Sequence, residues 1–228
     1  MGLCKCLILF SLLVFILSGC ASESANNAQN EIINPAPIDT GAIKMVSVSP
    51  KQKDKTTLAG KTAEVLLATP PQNWTQIYQL NEKLVRLADF VPAYETNLNW
   101  QTKLSFESHS DLVDLDPIEI LLSEAKKSEE KCTFVQHFNL FSGFENNYPT
   151  SLRLIMCGEN KNLKQGELSM LKVIQGDDFL YIIRFLKRIE PFSVNQPDVE
   201  KPEIATWSDY LRKIRLCNPA NDMHPCEA

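Results

Sequence analysis

Three textures follow one another along the chain. Residues 7–17 (Leu-Ile-Leu-Phe-Ser-Leu-Leu-Val-Phe-Ile-Leu) are an almost unbroken apolar run behind Lys5. At that length the run falls short of the roughly 20 residues a spanning helix needs and matches the core of a signal peptide. Residues 21 to 60 are then rich in Ser, Asn, Gln, Thr, Lys and Pro, with Pro35, Pro37 and Pro50 and no aromatic residue. Such a stretch lacks the material for a core and predicts a flexible tether reaching roughly 35 Å. Residues 42–48 (Ala-Ile-Lys-Met-Val-Ser-Val) break this polarity with strand-like composition. They read either as a segment that adds to a partner's sheet edge or as an early strand of the chain's own fold.

From Lys61 the pattern becomes globular. Residues 63–68 and 84–90 are apolar runs halted by Pro70-Pro71 and Pro92, and both predict strands. Trp74, Ile77, Tyr78 and Leu80 fit a helical turn or a short strand, and Leu98, Trp100, Leu104 and Phe106 carry the same ambiguity. Asp116-Pro117-Ile118-Glu119 is a helix start, with Asp as N-cap, Pro first in the helix and Glu at the third position. Ile118, Leu121, Leu122 and Ala125 follow at helical spacing. Strands are predicted over 132–140, 152–157, 168–175 and 179–189, the last pair joined by a tight turn at Gly176-Asp177-Asp178. A last helix is predicted from Thr206, capped with Asp209 and burying Trp207, Leu211 and Ile214.

Hairpin-linked strands with one helix inserted and one appended predict an α+β fold. Its antiparallel sheet would have about five to seven strands, with two or three helices packed on it. The order of elements resembles the PsbP/Mog1-like sheet-and-helix folds, a likeness of arrangement that implies no shared function.

Leu17-Ser18-Gly19-Cys20, directly after the apolar run, resembles the lipobox of bacterial lipoproteins. That resemblance implies cleavage before Cys20, a diacylglycerol on its thiol and commonly a further acyl chain on the new amino group. Taken with the composition, it predicts a signal peptide (1–19), a lipid-anchored tether (20–60) and one globular domain (61–228). Two acyl chains hold a protein stably on a bilayer where one is marginal. Ala21, where an aspartate would mark inner-membrane retention in Gram-negative sorting, points to the outer membrane, with the domain facing the periplasm.

Loss of residues 1–19 removes Lys5, leaving 22 basic against 28 acidic residues and a net charge of −6. An acidic chain of this kind is unsuited to nucleic acid. Cys4 and Cys6 leave with the signal, so Cys132, Cys157, Cys217 and Cys226 remain for an oxidising compartment. Four cysteines allow three pairings. Setting Cys132 opposite Cys157 in a hairpin places Leu140 opposite Pro149 and leaves 141–148 as its loop, which favours Cys132 with Cys157 and Cys217 with Cys226. These bridges would contribute roughly 3.5 and 2.5 kcal/mol. His224, between the second pair, leaves a weaker metal-site reading open.

Candidate chemistry is sparse. His109 precedes Asp111, Asp114 and Asp116, which reads as a carboxylate-oriented histidine or a cation loop, or as a solvated acidic approach to a helix N-terminus. His137 lies among Phe134, Phe138 and Phe141. No nucleophile elbow, zinc-protease, phosphate-loop or dinucleotide motif occurs, so no cofactor is predicted. Arg184, Lys187, Arg188, Arg212, Lys213 and Arg215 form a basic series suited to anionic headgroups or to ordinary charged faces. In the 141–148 loop, Phe144 and Tyr148 either await a partner or fold onto the core. The sequence thus predicts an envelope binding or assembly component with a protein partner. The alternative is a small periplasmic hydrolase or metal-dependent enzyme using His109 and its aspartates.

Overall fold

The computed structural model describes residues 64–194 and 201–226. Cys20, the tether and the strand-like 42–48 lie outside them. Nine strands and two helices are described: β1 Val65–Leu67, β2 Trp74–Asn81, β3 Val85–Pro92, β4 Thr102–His109, α1 Pro117–Lys131, β5 Val135–Glu145, β6 Tyr148–Cys157, β7 Gly166–Gln175, β8 Leu180–Ile189, α2 Lys201–Lys213 and β9 Arg215–Cys217. Seven strands form one antiparallel sheet in the order β2-β3-β4-β8-β7-β6-β5, and β1 pairs with β9. The first ambiguous stretch is therefore strand β2, and of the second Leu104 and Phe106 lie in β4 while Leu98 and Trp100 precede it.

The sheet is covered on both faces. One face carries Phe90, Leu104, Phe106, Leu154, Met170, Ile183 and Phe185 beneath α2 and the β1–β9 ribbon. The other carries Ile155, Leu171, Val173, Leu180 and Ile182 beneath Leu121 and Ala125 of α1. Asp116 Oδ1 accepts from Ile118 N at 2.6 Å, as the N-cap reading requires. Of the four apolar residues assigned to this helix's core face, only Leu121 and Ala125 are buried; Ile118 and Leu122 are 40% and 46% exposed. The buried stripe follows i, i+4 through Pro117, Leu121 and Ala125, too narrow to take in Ile118 and Leu122.

Three expectations are corrected. Cys132 is the C-cap of α1 and not a strand residue, its N–H bonded to Ser128 O. The Cys132–Cys157 bridge forms nonetheless, with Cα atoms 5.6 Å apart, but Val135 is the residue that faces Cys157. The hairpin register therefore differs from the predicted one by three residues at that end, and a bulge between Asn139 and Phe141 adds another. Nor is 141–148 a loop. β5 continues to Glu145, and Asn146 and Asn147, with φ of 50° and 64°, make a two-residue turn in the left-handed conformation that asparagine tolerates. Finally, α2 starts at Lys201 and not at Thr206, with Pro202 in its first turn, so Asp209 is a mid-helix residue.

A buried cation joins these parts. Lys172 of β7 is 1% exposed, and its Nζ donates to Leu211 O at 3.0 Å and Ile214 O at 2.7 Å while pairing with Glu145. Burial pushes its ammonium pKa down, and the Glu145 carboxylate opposes that. The C-terminus of a helix, where carbonyls lack partners, suits a cation. Lys172→Met should strip the cation from Glu145 and from the Leu211 and Ile214 carbonyls, of which Leu211 O keeps only its bond from Ile214 N at 3.2 Å, and cost about 3–5 kcal/mol in denaturant unfolding. A loss under about 1 kcal/mol would show that the cation is not structural.

Candidate functional site

On the α2 face, α2 covers one end of the β2–β4 strands through Trp207, which stacks on Phe185 at 3.9 Å and meets Trp74 edge-on at 5.6 Å. The other end is left to β1. There a cavity of about 160 Å³ opens between Leu66 of β1 and the sheet, walled by Gln79, Asn81, Arg86, Ala88, Phe106, Ser108, Phe179 and Tyr181 among others.

Strand register explains its composition. Asn81 faces Arg86, Arg86 faces Ser108, and Ser108 faces Tyr181, which sets one polar row across four strands. The next row inward is Gln79, Ala88, Phe106 and Ile183. Ala88 is the small member of that row, and its short side chain leaves the space that a larger residue would fill. Phe106, 3% exposed, forms an apolar floor.

Charges in the wall differ in how they are engaged. Glu64 accepts from Asp177 N, Asp178 N and Tyr181 Oη, closing the β7–β8 turn. Burial pushes its carboxyl pKa up, with those donors only partly opposing. Glu107 meets His109 at 3.1 Å and Arg184 at 3.9 Å. Arg86 has no carboxylate among the described residues; its guanidinium lies 5.1 Å from the centre of the Phe179 ring. The side chains of Arg86, Asn81 and Ser108 make no hydrogen bond among the described residues. A convergent set of donors above an apolar floor is what a small-ligand site requires.

The residues singled out from sequence lie elsewhere. His109 pairs with Glu107 on its own strand, and Asp116 is engaged as the N-cap of α1, so the histidine-and-aspartate arrangement is not assembled through that residue. His137 is exposed and accepts from Arg153 at 2.7 Å. Cys217 and Cys226 are bridged with Cα atoms 4.9 Å apart, leaving no thiolate for a metal beside His224. His224 Nδ1 instead donates to Asn146 O at 2.8 Å. Within the basic series, Arg184 pairs with Glu124 at 2.9 Å, Lys187 with Glu203 at 2.6 Å, and Arg188 stacks 3.6 Å from Trp100.

Phe144 and Tyr148 part company. Phe144 is 72% exposed, whereas Tyr148 is 1% exposed and stacks on His224 at 3.9 Å. Asn146 Nδ2 donates to Leu216 O and Pro225 O, and Asn147 Nδ2 to Met223 O, so the C-terminal disulfide loop grips the hairpin turn. An apolar surface that sequence reasoning missed lies between β3 and β4, where Tyr94 and Leu98 are 84% and 91% exposed. Glu95 holds that segment by accepting from Gln101 N at 2.7 Å and Thr102 N at 3.1 Å. The polar row was also missed. Its only sequence signal is that Asn81, Arg86 and Ser108 occupy positions whose neighbours two residues away face inward, which needs the register to be known.

No family model matches the chain, and no curated protein matches it in sequence. Among solved structures it is similar to the Ran-binding protein Mog1p of Saccharomyces cerevisiae, with a TM-score of 0.35 and 14% identity over 66% of this chain and 84% of that one. A mutant of the protein Mog1 gives a TM-score of 0.36 and 14% identity, over 66% of this chain and 85% of that one. LpqN of Mycobacterium tuberculosis, involved in cell envelope biogenesis, gives a TM-score of 0.33 and 8% identity over 70% of this chain and 86% of that one. Likeness at this level carries no argument about ligand or chemistry.

Because Tyr148 is buried and Phe144 is not, Tyr148→Ala should cost about 3–5 kcal/mol and lower the melting temperature, while Phe144→Ala should leave it within about a degree. Thermal unfolding of the two single variants checks this, and equal effects would contradict the placement of the rings.

Proposed function

We propose that this chain is an outer-membrane-anchored, periplasm-facing lipoprotein whose domain acts by binding, as an accessory or assembly component of the cell envelope. The observation that carries the binding reading is the row Asn81, Arg86 and Ser108, donors without partners among the described residues, set above the apolar floor of Ala88 and Phe106. Catalysis by proton transfer needs an acid or base poised at a reacting atom. The wall carboxylate Glu64 is instead bound to its own neighbours, and Glu107 meets His109 on the opposite face of the sheet.

The address rests on Cys20 within Leu17-Ser18-Gly19-Cys20. Two bridges that take up Cys132, Cys157, Cys217 and Cys226 support it, since a chain stapled in this way belongs in an oxidising compartment. The lipid and a tether of about 40 residues then leave the domain within reach of partners near its membrane. Cys20→Ala should abolish labelling by a palmitate analogue and release the protein, or its uncleaved precursor, from the outer-membrane fraction. Label retained by the variant, or unchanged fractionation, would refute the anchor.

A further inference from the structure

We infer that the cavity beneath β1 is a site for a small organic carboxylate, the anionic head meeting Arg86 and an apolar body of about ring size lying on Ala88 and Phe106. This rests on the reading of the domain as a binding module and names the chemistry it would bind. Volume sets the size: about 160 Å³ is close to the roughly 150 Å³ that accommodates a benzene ring.

Charge sets the sign. Three ionisable residues whose charge a ligand could meet border the cavity, Glu64, Glu107 and Arg86, and of these Glu107 turns its side chain to the opposite face of the sheet. Both oxygens of Glu64 are turned onto the β7–β8 turn and Tyr181. Glu107 is held by His109 and Arg184, which belong to the row set on the α1 face of the sheet. Arg86 alone has no opposite charge among the described residues. Its guanidinium lies over Phe179, 5.1 Å from the ring centre, and its N–H groups, which make no hydrogen bond among the described residues, form a fork suited to two carboxylate oxygens. Asn81 and Ser108, the cross-strand neighbours of Arg86, supply further donors on either side of it.

The full mature protein, labelled with nitrogen-15, can be titrated with benzoate, benzyl alcohol and benzylamine, which share a ring and differ in the charge of the head. Saturable shifts at Arg86, Ala88 and Ser108 are expected for benzoate, with benzyl alcohol weaker by at least about tenfold and benzylamine weaker still. Arg86→Gln should erase the preference for benzoate over benzyl alcohol without moving the melting temperature. Ala88→Leu, which fills the space, should weaken all three. The inference is overturned if benzylamine or benzyl alcohol binds as tightly as benzoate, or if Arg86→Gln keeps the preference. If benzyl alcohol saturates the site and benzoate does not, the carboxylate assignment fails and the binding module stands; if none of the three binds, both fail.

Discussion

A lysine in the middle of a sheet face must find partners for its charge, and the way Lys172 finds them organises one side of this domain. Its ammonium takes the carbonyls of Leu211 and Ile214 at the end of α2 together with the carboxylate of Glu145 at the end of β5. The carboxylate and the pair of carbonyls come from parts of the chain far apart in sequence. Bringing them to one atom fixes the last turn of α2 over β7 and ties the end of the β5–β6 hairpin to it. The same corner is closed from outside, where Asn146, Asn147 and His224 bond the hairpin turn to the loop that Cys217 and Cys226 staple.

That corner determines where the sheet is left open. With α2 held over β7 and its Trp207 against Phe185 and Trp74, the helix covers one end of the β2–β4 strands and β1 shelters the other. Ala88 sits in the sheltered end, so the space it leaves is not taken up by α2. The cavity is in this sense a product of the fold's anchoring, and its walls belong to strands held in register on both sides. A binding site on strands holds its donors more firmly than one on a loop.

Local signals in the sequence carried some elements well. Asp116-Pro117 marks the start of α1 to the residue, and Gly176-Asp177-Asp178 marks the β7–β8 turn. The α+β class and both cysteine pairs were also legible. Register was not, because Cys132 reads as the first residue of a strand when it is in fact a helix cap, and one wrong starting point slides every later partner. The same slip hid the Asn146-Asn147 turn inside what read as an aromatic loop and left Tyr148 undecided between surface and core. The cavity was invisible for a related reason. Nothing along the chain says that Arg86, Asn81 and Ser108 are neighbours until three strands are aligned, or that the short side chain at Ala88 opens inward.

The account holds that Lys172 and the C-terminal bridge make α2, the hairpin turn and the central strands one cooperative unit. Native-state amide hydrogen exchange tests this most directly, because it reads the opening free energy of each segment separately. Amides of Lys201–Lys213 should open with the same free energy as those of β7 and β8. If α2 instead exchanges through an opening several kcal/mol below that of the sheet, the buried cation does not weld the helix to it, and the explanation given for the cavity is wrong.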